Sequence, residues 1–258
     1  MWSGKSNEMT ILLVNDDGYT RDGIRALDRA FTQAGHEVWV VSPSSNRSAQ
    51  SHAMYLSGPI RMTRYGTGRY HCSGSPTDCI LYSIKGGMFP HLPDLVVSGI
   101  NHGYNCSSDI LYSGTCSAAS EAVLQGVKAI AVSAGPDADG RYEFDRVASF
   151  VCDNLDALVS LLDDECFLNL NFPPHFKEKV EAASLGRLYY GDVPQRSDEG
   201  EDGFTLQLVE GETKRTLASA GDRTDIEVCD DGFIALSVVK VNPAVDEAAH
   251  ERARKLFG

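Results

Sequence analysis

Residues 10–18 read TILLVNDDG, and this stretch decides the fold of the 258-residue chain. Its apolar run is short enough for a strand buried on both faces, and the run stops at Asp16 and Asp17. Side chains alternate along a strand, so both carboxylates can face one point only if the backbone turns, which Gly18 permits. Two carboxylates at such a short distance repel each other, and a bound cation usually offsets this repulsion. The stretch therefore predicts either a cation site at a strand end or a solvated turn.

Helices and strands alternate after this turn. The next helix carries apolar Ile24, Leu27 and Phe31 on one face, and further helices are predicted to begin at Ser75 and Ser113. Apolar runs predict one more helix at 144–162 and strands at 37–42, 54–65, 69–72, 94–98, 129–133 and 167–172. The repeated β-loop-α order predicts an α/β fold built on a doubly wound, mostly parallel sheet.

The pattern changes beyond residue 175, where a C-terminal β-rich elaboration and a terminal helix are predicted. Strands are expected at 184–190, 204–209 and 233–241, and the acidic tract SDEGEDG at 197–203 is expected to be a solvated loop. The last helix, 244–257, is highly charged and has few apolar residues, which suits weak packing or docking on another subunit. We therefore divide the chain into a flexible extension (1–9), a core (10–175) and an oligomerisation segment (176–258).

Composition narrows the class of protein. The chain has 23 Lys and Arg against 36 Asp and Glu, a net charge of -13, which disfavours binding to a nucleic acid polymer. Seven cysteines without a C-x-x-C pair predict reduced core thiols, with Cys106 in a loop-like setting as the exception. No apolar run approaches the roughly 18 residues of a membrane span, and the N-terminus does not resemble a signal peptide. We expect a soluble, cytoplasmic protein without a membrane partner.

Three polar segments follow buried strands, at 15–18, 44–51 and 99–108. The carboxyl ends of parallel strands meet at one edge of a sheet, so these segments should converge there. They offer carboxylate, hydroxyl and amide oxygens, a set that suits Mg²⁺, Mn²⁺ or Ca²⁺ better than Zn²⁺ or Cu²⁺. A fourth segment, Ser113-Gly114-Thr115, opens a helix whose free amides could hold a phosphate. A cation beside an anion pocket implies a phosphoester substrate.

Five tetrapeptides in this chain carry a family resemblance: NDDG at 15–18, NRSA at 46–49, SPTD at 75–78, SGIN at 98–101 and YSGT at 112–115. In content, order and spacing they resemble the SurE family of 5'/3'-nucleotidases. The resemblance implies a three-layer Rossmann-like core and hydrolysis of nucleoside monophosphates, with polyphosphate as a further substrate in some members. It also implies homodimers or homotetramers that exchange C-terminal segments. The implied cofactor is one divalent ion, Mg²⁺ or Mn²⁺, held by Asp16, Asp17, Ser48 and Asn101.

The same residues suggest catalytic roles. Asp16 and Asp17 anchor the cation, and the nucleophile is either a water that the cation activates or the carboxylate of Asp16. The leaving ribose oxygen is protonated by His52 or His102, unless both are ordinary loop histidines. Arg47 either stabilises charge or is an exposed cation. Hydrogen bonds to the phosphate are expected from the segment Ser113-Gly114-Thr115 and from Asn46 and Asn105.

Other positions have a structural alternative. Asp78 is expected to cap a helix rather than contact substrate, while the resemblance places Gly74 and Ser75 on the nucleoside side of the pocket. The family commonly has S-D-T-D where this chain has DRTD at 222–225, a departure that puts a role in a partner's site in doubt. Two other functions remain: a phosphatase acting on another small phosphoester, and a sensor that binds nucleotides without catalysis.

Overall fold

The computed structural model describes residues 8–200, 203–216 and 222–257. Most of the predicted N-terminal extension, residues 1–7, lies outside the described residues. Met9, at its end, is joined to the fold because its amide donates to His36 Nδ1 (3.3 Å) and its carbonyl accepts from the Glu37 amide (2.9 Å). None of the described helices has the length and apolar character needed to span a membrane.

Thirteen strands are described, and nine of them form one mixed sheet. The strands are β1 (Thr10–Val14), β2 (Glu37–Pro43), β3 (Met62–Gly66), β4 (Arg69–Cys72), β5 (Leu95–His102), β6 (Lys128–Ala134), β7 (Cys166–Phe172), β8 (Lys177–Ala182), β9 (Arg187–Tyr189), β10 (Val193–Gly200), β11 (Gly203–Val209), β12 (Lys214–Thr216) and β13 (Phe233–Lys240). The sheet order is β3-β4-β2-β1-β5-β6-β7-β13-β8. Strands β4, β2, β1, β5, β6 and β7 are parallel, whereas β3 and β13 run antiparallel to their neighbours β4 and β7.

Helices cover both faces of the sheet. They are α1 (Asp22–Ala34), α2 (Pro76–Lys85), α3 (Gly114–Leu124), α4 (Phe144–Asp153), α5 (Leu155–Val159), α6 (Asp225–Asp230) and α7 (Glu247–Phe257), with a 3-10 helix at Ser107–Leu111. The alternation of β1 assigns its residues to two cores: Ile11 and Leu13 pack with α1 and α4, while Leu12 and Val14 pack with α2 and α3. The predicted three-layer, mostly parallel α/β fold is confirmed.

Strand order fixes where a ligand can bind. From β1 the chain moves to β2 on one side and later returns to β5 on the other side. The connections therefore diverge at the carboxyl ends of β1 and β5 and leave a crevice between them. The aspartate turn follows β1, and the polar segment after residue 98 forms the end of β5 and the loop beyond it.

Several predicted elements have different limits in the structure, including the following three. The strand expected at 54–65 is only Met62–Gly66, because Gly58 and Pro59 interrupt it. The helix expected at 144–162 is divided at Asn154, whose amide group donates to the Phe150 carbonyl (2.8 Å), although its apolar face continues across the break. The strand expected at 184–190 is limited to Arg187–Tyr189.

The acidic tract is not simply a loop. Residues 197–200 lie in β10, and Gly203 begins β11, so the tract forms the end of an antiparallel hairpin. Backbone pairing with β11 prevails there over the low strand propensity of the charged residues. The remaining two residues of the tract, 201 and 202, lie outside the described residues.

The surroundings of Cys106 also differ from the loop-like setting predicted for it. All seven cysteines are free, and Cys106 is as buried as those within strands. Contact with the Cys229 thiol, together with burial, raises the pKa of Cys106. It therefore belongs to the packed interior and is a poor nucleophile.

Candidate active site

A hydrogen-bonded turn presents the two aspartates at the end of β1. Asn15 Oδ1 accepts hydrogen bonds from the Gly18 amide (3.2 Å) and from Ser42 Oγ, and Asn15 Nδ2 donates to the Gly18 carbonyl (3.0 Å). Gly18 has φ +106°, a backbone conformation that glycine adopts without a steric penalty. The turn lets Asp16 and Asp17 contact two different elements.

Asp16 is buried against the N-terminus of α3. Its Oδ1 accepts a hydrogen bond from Thr115 Oγ1 (2.9 Å), and Gly114 approaches so closely that a Cβ there would lie 2.8 Å from Asp16 Cβ. Burial and then the neighbouring charge of Asp17 raise the pKa of Asp16 to about 6. The contacts that favour the ionised form are hydrogen bonds, chiefly from the Thr115 hydroxyl. A carboxylate in this setting would gain from a nearby cation.

Asp17 pairs with His102 from β5. Its Oδ2 lies 3.0 Å from His102 Nδ1 and accepts a second hydrogen bond from the His102 amide (3.3 Å). The imidazole packs edge-on against the Phe144 ring, with centroids 4.6 Å apart. Asn101 precedes His102 directly, and its Nδ2 donates to the Gly103 carbonyl (3.0 Å). The end of β5 thus places a histidine against Asp17, and Asn101 directly precedes that histidine in the strand.

The loop after β2 forms another wall. The Arg47 amide donates to the Asp16 carbonyl (2.7 Å), which brings the loop against the aspartate turn. The amide and hydroxyl of Ser48 both donate to Asn46 Oδ1, at 2.8 and 2.6 Å. A cavity of about 350 Å³ lies alongside, and its lining includes Asp17, Asn46 and His102.

The start of α3 faces Asp16. Ser113 is the N-cap, and its Oγ accepts a hydrogen bond from the Cys116 amide (3.0 Å). Gly114 and Thr115 are the first two helical residues, where backbone amides have no partner within the helix. The positive end of the helix dipole is therefore directed toward this carboxylate, and it also suits a phosphate.

The donor set fits a hard divalent cation. Two neighbouring carboxylates provide charge, and the hydroxyl of Ser48 and the amide oxygen of Asn101 come from the adjoining loop and strand. Within 8–200, 203–216 and 222–257, no cluster of three or more His, Cys, Asp or Glu side chains could hold a metal ion. A cation held at Asp16 and Asp17 would therefore need neutral oxygens to complete its coordination.

Comparison with known proteins identifies the family. The sequence model of a family described as "Survival protein SurE" matches residues 11–192, most of the chain and all five tetrapeptides. The chain belongs to the SurE family. The predicted resemblance is thereby confirmed.

Named relatives extend the similarity of this SurE chain. A 5'-nucleotidase SurE of Synechococcus elongatus is 36% identical over 255 residues, covering 94% of this chain and 95% of the relative. Another, from Desulfitobacterium hafniense, is 40% identical and covers 72% of this chain and 74% of the relative. The crystal structure of the SurE protein from Aquifex aeolicus superposes with a TM-score of 0.80 at 27% identity, covering 96% of this chain and 100% of that one.

Asn105 of this SurE chain is held by two asparagines that the sequence reasoning missed. Its amide donates to Asn171 Oδ1 (2.8 Å), and its carbonyl accepts from Asn169 Nδ2 (2.7 Å) and Asn171 Nδ2 (3.2 Å). Its own Nδ2 donates to Ser133 Oγ (2.8 Å). Two asparagines inside the otherwise apolar strand FLNLNF were the signal that could have revealed this network.

The remaining candidates are placed in supporting positions. His52 does not point to Asp17; its Nε2 lies 2.8 Å from Glu121 Oε2 on α3. Asp78 completes a capping box with Ser75, as predicted, and also accepts a hydrogen bond from the Tyr55 amide (3.0 Å). Gly74 packs against the same carboxylate, because a Cβ on this glycine would lie 2.5 Å from Asp78 Oδ2. Arg47 is half-buried, and its guanidinium donates to the Ser73 carbonyl (3.0 Å).

The segment DRTD has a role within this SurE chain. Thr224 caps α6 through a capping box with Glu227, which sequence reasoning missed although the pattern T-x-x-E was present. Asp225 is buried, and its carboxylate accepts hydrogen bonds from the amide (2.6 Å) and hydroxyl (2.7 Å) of Ser107. The segment therefore anchors the loop that follows β5.

Proposed function

We propose that this protein is a divalent-metal-dependent 5'-nucleotidase, a phosphoric monoester hydrolase that converts nucleoside monophosphates into nucleoside and phosphate. The observation that carries the proposal is the buried Asp16 carboxylate, placed between Asp17 and the N-terminus of α3. Through this carboxylate, the proposed cation position and the proposed phosphate position lie next to each other in one crevice. The 5'-nucleotidase names of its SurE relatives support the same substrate class.

In this proposal, Asp16, Asp17, Ser48 and Asn101 hold Mg²⁺ or Mn²⁺. The ion would neutralise charge on the phosphate oxygens and make phosphorus more open to attack. Asp16 is held in place by Thr115 and Gly114, and Asp17 by the two contacts from His102. These contacts orient the carboxylates before substrate binds, so little reorganisation would be needed during the reaction.

The proposed phosphate contacts come from the opposite wall. The backbone amides of Gly114 and Thr115 and the hydroxyl of Ser113 lie at the start of α3, where a dianion is favoured. Asn46 and Asn105 are the proposed side-chain contacts. Water is the proposed nucleophile, because Asp16 is already committed to Thr115 and to the cation.

Phosphate release from a panel of esters tests the proposal. With Mn²⁺ or Mg²⁺ present, the purified chain should hydrolyse AMP, GMP, CMP and UMP faster than sugar phosphates. Asp16→Ala and Asp17→Ala should abolish turnover and divalent binding while the protein remains folded. Comparable rates on sugar phosphates with none on nucleotides would contradict the nucleotidase assignment, and saturable nucleotide binding without phosphate release would indicate a sensor.

We further propose a cytoplasmic homodimer or homotetramer that exchanges C-terminal segments. Seven free cysteines suit a reducing compartment. Helix α7 has no buried residue in the single chain, and its Leu256 and Phe257 are exposed. Exposed Phe204, Leu206 and Leu208 of β11 present a second apolar surface. Sedimentation of the full chain tests the assembly.

A further inference from the structure

A hydrogen-bonded side-chain pair outside the aspartate site joins the loop that carries Ser48 to helix α3. His52 Nε2 lies 2.8 Å from Glu121 Oε2, and the Glu121 residue is only 3% exposed. The other carboxylate oxygen accepts a hydrogen bond from Gln125 Nε2 (2.7 Å). Both oxygens of a buried carboxylate are thus satisfied, and loss of His52 would leave one of them without its partner.

Other contacts hold the same loop on both sides of Ser48. Before it, the Arg47 amide donates to the Asp16 carbonyl (2.7 Å). After it, the Ser51 amide donates to the Tyr112 carbonyl (3.0 Å). The residue that follows Ser51 is His52, so the His52–Glu121 contact completes the second attachment. The backbone between the two attachments needs such support, because Ala49 and Ser51 have positive φ of 58° and 54°.

Helix α3 contacts both the Asp16 side of the proposed cation site and the loop that carries Ser48. Near its N-terminus, Thr115 donates to Asp16, and farther along, Glu121 binds His52. The sheet face of this helix is packed with small buried residues, which fix its position against the strands. One rigid element therefore contacts both the Asp16 side chain and the end of the loop, in addition to the direct bond from the Arg47 amide to the Asp16 carbonyl.

We propose that His52 and Glu121 are positioning residues: their pair clamps the loop at 46–51 to α3 and so holds Ser48 beside the aspartate turn, which the neighbouring Arg47 amide contacts. The inference rests on the proposed function, because it takes Ser48 as a ligand of the cation. It also gives His52 a role other than proton transfer, since its Nε2 is engaged by Glu121. Of the two candidate histidines, His102 is the one that lines the cavity with Asp17.

Mn²⁺ binding to the full-length chain, measured by calorimetry, tests the clamp. The amide nitrogen of glutamine can replace His Nε2 and reach Glu121, whereas the asparagine side chain is one methylene shorter. His52→Ala and His52→Asn should weaken Mn²⁺ binding by about 10- to 100-fold, as loss of an outer support of a metal ligand does. His52→Gln should retain most of the affinity. The matched control is His175→Ala, which removes the exposed His175–Glu143 pair (3.2 Å) elsewhere on the surface.

Limited trypsin digestion supplies a readout that does not involve the metal. Release of the loop should speed cleavage after Arg47 in His52→Ala and His52→Asn, with the new N-terminus at Ser48 identified by mass spectrometry. Wild-type affinity and wild-type cleavage rates in both variants would overturn the clamp. Equal weakening in His52→Gln would also overturn it, because the imidazole and not its hydrogen bond would then matter. Failure of wild-type protein to bind Mn²⁺ would overturn the metal site instead, while the cleavage rates would still decide the clamp.

Discussion

A single methyl group added at Gly114 should lower the activity strongly while changing the stability of the fold only modestly. A Cβ at this residue would lie 2.8 Å from Asp16 Cβ, 3.0 Å from Asp16 Oδ2 and 3.1 Å from Pro76 Cγ. Ordinary contact begins at 3.4 Å, so in Gly114→Ala the aspartate must move by about 0.6 Å. Asp16 Cβ is attached directly to the backbone, so the side chain cannot relieve this contact by rotation.

The expected loss of activity follows from that displacement. A misplacement of about 1 Å in a catalytic group costs on the order of 100-fold in rate, so we expect Gly114→Ala to lower kcat/KM on AMP about 10- to 100-fold. Overpacking costs about 1–3 kcal/mol, but alanine in a helix recovers up to about 1 kcal/mol relative to glycine. The free energy of unfolding should therefore fall by about 0–3 kcal/mol.

Phosphate release at saturating Mn²⁺ and urea unfolding of the same preparation measure the two effects. Gly66→Ala is the matched control, because a Cβ there would meet the flexible side chain of Arg69, at 3.3 Å from Cδ, and the residue lies in the β3–β4 hairpin. Gly114→Ala with wild-type activity would show that close approach of α3 does not set the position of Asp16. A large loss of stability in step with activity would show general misfolding instead.

Three further changes test separate parts of the structure. In metal-free protein, Asp16→Asn should be more stable than wild type by about 3 kcal/mol above pH 6 and equally stable below pH 4. The reason is that the pKa of the Asp16 carboxyl is raised to about 6, so its ionisation lowers the stability of the wild type as pH rises. Thermal melts at a series of pH values measure the difference, and a difference that does not change with pH would contradict the prediction. Asp225→Ala should lower the free energy of unfolding in urea by about 1–3 kcal/mol, because both Ser107 donors lose their acceptor. Deletion of residues 244–258 should reduce the mass of the assembly in sedimentation but barely change the melting temperature at low concentration, because no residue of α7 is buried within its own chain. An unchanged mass would refute segment exchange.

The convergence of the candidate segments could be predicted, because each segment follows a strand that is recognisable from the local sequence. The apolar run before Asp16, the strand before Asn46 and the run before Asn101 all end in polar residues, and a parallel sheet brings such ends to one edge. The sequence could not show which side chains meet across the edge. Thr115 donates to Asp16 from 99 residues away, and only the packing of α3 on the sheet decides that contact.

Strand β8 shows why part of the fold could not be predicted. Its sequence KEKVEA is mostly charged and exposed, without the apolar alternation that indicates a half-buried strand. It forms because β13, more than 50 residues later, offers an unpaired edge with Ala235 and Leu236 opposite Glu181 and Ala182. Charge at the outermost strand also discourages pairing with other chains. The residues that look least like a strand are thus suited to the edge that they occupy.

Helix α3 contacts both the aspartate turn and the Ser48 loop, so in the proposed site it would bind the anion at one end and support the cation ligands along its length. Asp16 contacts its first turn through Thr115 and Gly114, and the Ser48 loop contacts it through Glu121. Asp17 depends instead on β5 through His102. Asp16 is therefore positioned by a helix that packs on the sheet and Asp17 by a strand of that sheet, so the separation of the two carboxylates depends on the rigidity of the core. In the proposed site, these neighbouring residues of one turn would share one cation without a third acidic ligand among the described residues.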